Sequence, residues 1–295
     1  MTFEQLTIFV AVAEREHLTR AAETLHLTPS AVSSAIRKLE DFYGVQLFDR
    51  VGRGLAITAE GRLFLDEARA TLTRMQSAER FLGELGGLQR GVLAIAASQT
   101  IASYWLPGVL MGFHTRYPGI ELSLAIGNTE TVSKAVETGA ADIGYVEGEL
   151  ENPLLRKRHI ANDALMIVTS PGHPLSDSRL VTPQDLIDKT AWVLREPGSG
   201  TRSAFEAAME GLGVAPSAFD VVMELPSNEA VLSAVRSSRV ASAVSSVVAA
   251  PWIAAGGLAR VNFELPARSF TLLSHKERHL SRAAEQLLAD SLSVR

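Results

Sequence analysis

The densest concentration of chemically useful side chains in this 295-residue chain is REPGSGTRSAF, Arg195 to Phe205. It follows the apolar run AWVL and opens a helical pattern. Gly198 and Gly200 allow tight backbone turns, so that Ser199, Thr201 and the adjacent amides would face an anion at the positive N-terminal end of a helix. Arg202 adds a guanidinium fork suited to carboxylates and other oxyanions. The segment is no P-loop, because G-x-x-x-x-G-K-[ST] is missing. Nor is it a nucleophile elbow, because Pro197 occupies the first glycine position of G-x-S-x-G. A glycine-rich turn that only caps its helix is the plainer alternative. Similar junctions recur where Ser98-Gln99-Thr100 precede a helix containing Tyr104 and Trp105, and where Asn128-Thr129 follow a second apolar run; Tyr145 and Glu147 follow a third. Capping explains any one of these. Converging across a cleft, they describe a ligand site.

Catalytic chemistry finds fewer parts. The chain has no cysteine, which removes disulfides, thiolate zinc sites and cysteine nucleophiles. Its seven histidines are scattered, and the close pair in HKERH, His275 to His279, lacks the glutamate placement of H-E-x-x-H. No Ser/His/Asp set or working carboxylate pair can be assembled from order or spacing. Neither an enzyme, a resident cofactor nor a metal is expected. A solute-binding protein would share the cleft but not the N-terminal pattern.

That pattern is the second constellation: Thr28, Pro29, Ser30, Ser33, Ser34, Arg37 and Lys38, followed by Arg50 and Arg53. Thr28 then Pro29 is a helix start of the N-cap and N1 kind, opening a helix through about Phe42. Val32, Ile36 and Leu39 fall on its inner face and the serines and bases outside. Residues 3 to 16 place Phe3, Leu6, Phe9, Val10 and Ala13 at helical spacing. A short helix from Arg20 to Leu25 follows, with Thr19 as its expected N-cap. Gly44, Gly52 and Gly54 bracket Val45 to Phe48 and Leu55 to Ile57 as a small hairpin with Arg50 and Arg53 near its tip. Three helices and a wing form the layout in which the second motif helix enters the major groove. A three-helix bundle with a solvated face is the plainer reading. The net charge of −5 argues mildly against nucleic acid, and residues 1 to 58 hold seven acids against six bases. The arrangement answers that objection, because Arg37, Lys38, Arg50 and Arg53 cluster on one helix and the hairpin after it.

From Ala59 to about Leu85 a long helix is expected, with Leu65, Ala68, Leu72, Met75 and Leu82 recurring at threes and fours and Gly83, Gly86 and Gly87 ending it. It reads as a dimerising linker. Beyond Gly91 the chain alternates strands and helices: VLAIAAS, a helix over 100 to 115, IELSLAIG, TETVSKAVETG and ADIGYVEG make a βαβαβ unit. Further strands at DALMIVTS, AWVLRE and FDVVMEL and helices over 201 to 211 and 227 to 236 imply a second α/β lobe. No apolar run reaches eighteen residues, and MTFEQLTIF carries no basic, cleavable leader, so a cytoplasmic location with no membrane contact is the expectation.

The segment LTRAAETLHLTPSAVSSAIRKLEDFYGVQLFDRVGRGLAITAEG resembles the DNA-binding region of LysR-type transcriptional regulators, and the linker helix and two-lobed remainder resemble that family over essentially the whole chain. The fold class that results is an N-terminal all-α winged helix-turn-helix with a linker helix, joined to an α/β two-lobed effector domain like a periplasmic binding protein. The expected divisions are 1–58 for the winged helix, 59–89 for the linker and 90–295 for the effector domain. Lobe I would take 90–161 and 267–295, and lobe II 162–266. The resemblance implies a homodimer or tetramer, formed through linker helices and effector domains, on double-stranded promoter DNA, with RNA polymerase as a further partner. It also implies effector-binding roles for Ser98 and Thr100. One departure is Ser34, which stands where many relatives carry an arginine in the recognition helix; base readout then falls to Arg37, the flanking serines and the wing. GSGTR together with Ser98 and Thr100 looks most like the sulfur-metabolism and carbon-fixation regulators. That points to a small anionic effector, with sulfate, sulfite and a phosphorylated metabolite undistinguished.

Overall fold

The computed structural model describes residues 1–51, 54–84, 91–176 and 180–293. They fall into two units, Met1–Leu82 and Gly83–Arg295.

The first unit holds α1 (Phe3–Arg15), α2 (Leu18–Leu25), α3 (Pro29–Tyr43), the hairpin β1 (Phe48–Val51) and β2 (Gly54–Ile57), and α4 (Ala59–Glu84). A capping box starts α1: the Thr2 hydroxyl accepts from Gln5 N, and the Gln5 side chain accepts from Thr2 N. Helix α2 begins earlier than the sequence suggests. His17, not Thr19, is its N-cap, because an extended His17 places ring Nδ1 to accept from Arg20 N at 3.4 Å. Helix α3 starts with Thr28 accepting from Ala31 N and Pro29 in the first turn, and ends on Gly44 at φ 64°. The first wing strand is shifted from the expected Val45–Phe48, because Leu47 N and Phe48 N are both taken by the Glu40 carboxylate and strand pairing opens only at Phe48↔Ile57. Phe9 lies at the centre of this unit's core, its ring 5.5 Å from that of Phe48 and 4.8 Å from that of Phe64.

Thr58 caps α4 by accepting from Gly61 N and also donates to Gln46 O. Gly61 is required there, since a Cβ would sit 2.3 Å from the Leu47 carbonyl oxygen. Ala68 is buried and, with Phe64, Leu65 and Leu72, packs into the core of its own unit. The expected dimer seam is therefore half consumed internally, while Leu63 and Met75 face outward. The side chain of Leu82 and residues Gly86 and Gly87 lie outside the described residues.

The second unit contains two mixed five-stranded sheets. One orders β4 (Ile120–Gly127), β3 (Gly91–Ser98), β5 (Ile143–Glu147), β12 (Arg268–His275) and β6 (Leu155–Asp163). The other orders β11 (Ala259–Arg260), β7 (Leu165–Thr169), β10 (Val240–Ser245), β8 (Ala191–Arg195) and β9 (Val221–Leu225). Strands β3, β4 and β5 run parallel, joined by α5 (Gln99–Tyr104), α6 (Leu106–Arg116) and α7 (Thr129–Thr138). The single helix expected over 100 to 115 is two, because Pro107 lacks the N–H an unbroken helix needs. In the second lobe α8 (Pro183–Asp188), α9 (Gly200–Gly211), α10 (Asn228–Ser237) and α11 (Ser246–Ala254) flank the sheet, and α12 (Arg282–Ser293) returns to the first lobe. The chain crosses between lobes twice, from Asp163 to Leu165 and from Arg260 to Arg268, and the antiparallel β6 and β12 created by those crossings were not foreseen.

Candidate nucleic-acid interface and interlobe site

On α3 the apolar stripe Val32, Ile36 and Leu39 is buried, which forces the other face outward. Ser30, Ser33, Ser34, Arg37, Lys38 and Asp41 line one shallow concavity there. Thr28 Oγ1 and Ser30 Oγ are 3.0 Å apart and hydrogen-bonded, so these two hydroxyls organise the helix start as well as facing solvent. Arg37, Lys38, Arg50 and Pro29 are exposed. Arg53 lies outside the described residues.

Three of the seven acids that balance these bases are engaged elsewhere. Glu40 Oε1 accepts from Leu47 N at 2.8 Å and Phe48 N at 3.1 Å, tying the wing to α3. Glu14 pairs with Arg69 of α4 at 2.9 Å. Glu16 accepts from Ile57 N. The negative charge within residues 1–58 is thus partly structural, and the concavity on α3 holds two bases against the single acid Asp41.

In the second unit the strand ends and helix starts named from sequence meet at the seam between the lobes. Ser98 closes β3 and donates to the Glu147 carboxylate at the end of β5; Thr129, opening α7, donates to the Glu147 carbonyl oxygen at 2.9 Å. From the other lobe, Ser199 caps α9 by accepting from Thr201 N, the plainer role foreseen for it. Gly198 has φ 84°, a left-handed conformation that favours glycine. A Cβ on Gly200 would lie 2.0 Å from the Glu147 carbonyl oxygen and 2.5 Å from Thr129 Oγ1, so this glycine is what lets the two lobes touch. Glu130 N donates to Gly198 O, and Asn128, while capping α7, donates to Glu196 and to the Pro197 carbonyl. Thr100 accepts from Asn228 of α10 at 3.1 Å.

Two expected residues do not reach the seam. Tyr145 shares a face of β5 with Glu147 but lies two residues deeper; it is buried beside Trp105 and hydrogen-bonds Ser291 of α12 at 2.8 Å. Burial pushes its phenol pKa up, far from any proton transfer near neutrality. Arg202 points along its own lobe, to Glu206 at 2.7 Å, to Glu224 and to the Arg195 carbonyl. Burial opposes its charge, yet the hydrogen bonds and charges of Glu206 and Glu224 hold the guanidinium above the ordinary arginine pKa.

Other residues at the seam carry no local sequence signal. Arg268 opens β12 opposite Asp163, the last residue of β6. Its Nε donates to Asp163 Oδ2 at 2.8 Å and its Nη1 to Thr201 Oγ1 at 2.9 Å, while Ser245 donates to Asp163 Oδ1. Asn228 Oδ1 accepts from Arg195, Asn228 N donates to Gln99, and Gln99 donates to Glu229. Glu196 completes this clamp: burial opposes its charge, but Arg195 and Asn128 hold its carboxyl below the usual glutamate range. The seam is a polar network in which the hydroxyls of Ser98, Thr129, Ser199, Thr201 and Ser245 all have partners.

Residues 3–62 match the model of the bacterial regulatory helix-turn-helix proteins of the lysR family, and residues 86–292 match the LysR substrate binding domain. The uncharacterized HTH-type transcriptional regulator YeiE of Escherichia coli K12 is 34% identical over 290 residues, covering 98% of this chain and 96% of that protein. The RuBisCO operon transcriptional regulator of Allochromatium vinosum is 34% identical over 245 residues, 83% of this chain and 80% of its own length. Among solved structures, the regulatory domain of Synechocystis CcmR in complex with 2-PG is similar at a TM-score of 0.62 and 26% identity, covering 68% of this chain and 96% of that domain. Among the described residues no helix is long and apolar enough to cross a membrane.

Proposed function

This chain belongs to the LysR family of DNA-binding transcriptional regulators, not to a family of enzymes, and from that premise we propose that it binds double-stranded promoter DNA as a homo-oligomer in the cytoplasm and responds to a small anion at the interlobe seam. The observation that carries the DNA assignment to residues is the face of α3, where Ser30, Ser33, Ser34, Arg37 and Lys38 stand together while Glu40 is turned onto the wing. Arg37 has the reach and fork for a guanine or a phosphate, Lys38 the point charge for backbone, and the serines suit either. Arg50 extends the contact from the wing, and Arg53 keeps its sequence-based assignment to DNA.

The effector assignment rests on Ser98, Asn128, Thr129, Ser199 and Thr201 gathering near the start of α9 with Arg268 beside them, and on Thr100 meeting the start of α10 along the same seam. A ligand can shift the protein only by binding one lobe arrangement better than another. Lobe I (90–161, 267–295) and lobe II (162–266) are the moving parts, and their closure changes the spacing of paired recognition helices. The 2-PG held by the CcmR domain is consistent with a small ligand in this fold. Footprinting of the full-length protein on its promoter, with and without millimolar phosphate or sulfate, tests the reading. A footprint or transcript level that changes with one anion, and loses that response in Thr201→Ala while DNA affinity stays, supports it; an anion response undiminished in Thr201→Ala removes the α9 start from the effector site.

A further inference from the structure

Two buried, oppositely charged groups flank the start of α9, and neither has its hydrogen-bonding capacity filled. Arg268 has a side chain 3% exposed and Glu147 one 2% exposed. A guanidinium carries five N–H donors. Here Nε serves Asp163 and Nη1 serves Thr201, while Nη2 lies 2.7 Å from Asp163 Oδ2 without the alignment of a hydrogen bond, and is one of the few buried side-chain atoms left without a hydrogen-bond partner. Glu147 Oε2 accepts from the Ser98 hydroxyl; Oε1 is 3.8 Å from Arg268 Nη1, beyond hydrogen-bond reach. Asp163 already takes up the charge of Arg268, so two carboxylates share one guanidinium at this seam.

These facts constrain the ligand more tightly than its being an anion. A fully deprotonated oxyanion presents only acceptors. It would satisfy the spare N–H groups of Arg268 and the amides of α9, but it would bring its oxygens against the Glu147 carboxylate, where no proton lies between them. An oxyanion that keeps an O–H meets both groups, its charged oxygens facing Arg268 and Thr201 and its hydroxyl donating to Glu147. Buried sites built around one obligatory hydrogen bond discriminate strongly against ligands that cannot make it, because the site group is then left unpaired.

We infer that the interlobe site selects a small oxyanion that retains an O–H, with Arg268 meeting its charge and Glu147 accepting its hydrogen. The inference rests on the effector reading above and names the chemistry of that same site. It ranks hydrogenphosphate and protonated oxyanions like it above sulfate.

The test is calorimetric titration of the full-length protein with inorganic phosphate and with sulfate at equal ionic strength and pH 7. Hydrogenphosphate is expected to bind at least about tenfold more tightly than sulfate. Glu147→Gln, nearly isosteric and able to donate from its amide, is expected to abolish or invert that ratio. Sulfate binding as tightly as phosphate to the unsubstituted protein overturns the selectivity and leaves the anion reading standing. A preference for phosphate that persists undiminished in Glu147→Gln overturns the role of Glu147. If neither anion binds at millimolar concentration, both the inference and the anion reading fail. The comparison in the unsubstituted protein is decisive even where the variant does not fold.

Discussion

Arg37 and Lys38 are neighbours on α3, but their side chains answer different questions about DNA. A guanidinium that forks onto a guanine edge carries sequence information, whereas an ammonium near phosphate carries mainly salt-dependent affinity. Arg37→Ala is therefore expected to weaken binding to the specific site by about 1–3 kcal/mol and to relax preference at one base pair. Lys38→Ala should weaken all sequences alike and reduce the salt slope by about one. Fluorescence anisotropy on specific and scrambled duplexes at several salt concentrations separates the two; a uniform loss in Arg37→Ala would move Arg37 to the phosphates. Glu40 belongs to the same helix but to stability. Replacing it by alanine strips two N–H groups of their acceptor, at a cost of about 1–3 kcal/mol readable by urea unfolding. The start of α3 was legible because Thr28, Pro29 and the inward stripe are local signals. Glu40 was not, since an acid beside Arg37 and Lys38 looks like surface charge until Leu47 and Phe48 fold back onto it.

The seam between the lobes is a junction of elements, and it shows where local reading stops. Ser98, Thr129, Ser199 and Thr201 were recognisable because each stands at a strand end or helix start, whatever the rest of the chain does. Arg268 and Asp163 were not, because β6 and β12 come together only through the two crossings, and nothing in RSFTLLSH marks its first residue as a partner of Thr201. Tyr145 failed for the opposite reason: alternation along β5 gives its face but not its depth. The tightest junction is Gly200 against the Glu147 carbonyl. Gly200→Ala is expected to prop the lobes apart and destabilise the effector unit by about 1–3 kcal/mol, the cost of overpacking a close contact. Thermal unfolding and faster amide exchange at Glu147 and Thr201 would register it; unchanged exchange there would mean the contact is not under strain. The clamp through Glu196 adds a pH dependence. Because its folded-state pKa is lowered, its contribution is fully present above the ordinary glutamate value and is lost as pH falls through the depressed one. Acid should therefore loosen the seam, and Glu196→Gln should flatten that acid limb of the stability curve.

At the scale of the whole molecule, the linker helix offers oligomerisation less apolar surface than its sequence suggests, because Ala68, Leu65 and Leu72 are used inside the first unit. The effector unit offers another surface. Each sheet has two edge strands among the described elements, β4 and β6 in the first lobe and β11 and β9 in the second, and β4 and β9 are the parallel-paired edges. Both strands expose apolar side chains among polar ones: Ile126 is 60% exposed on β4 beside Glu121 and Ser123, and Val222 and Met223 are 54% and 51% exposed on β9 beside Glu224. An exposed apolar edge strand invites pairing with another chain unless something covers it. A two-fold axis would set β4 of one copy against β9 of the other and cover both kinds of edge in one contact repeated twice. Such a dimer would also raise DNA affinity, since holding two recognition helices in one assembly makes the second contact effectively intramolecular. Ile126→Lys, and independently Met223→Lys, are expected to shift the protein towards monomer in multi-angle light scattering. Affinity for a full operator should fall by about 10²-fold or more while affinity for a half-site duplex barely changes. If both variants keep the assembly of the unsubstituted chain, the outward Leu63 and Met75 of α4 must carry the contact, and the same measurement on Met75→Lys then decides between the two surfaces.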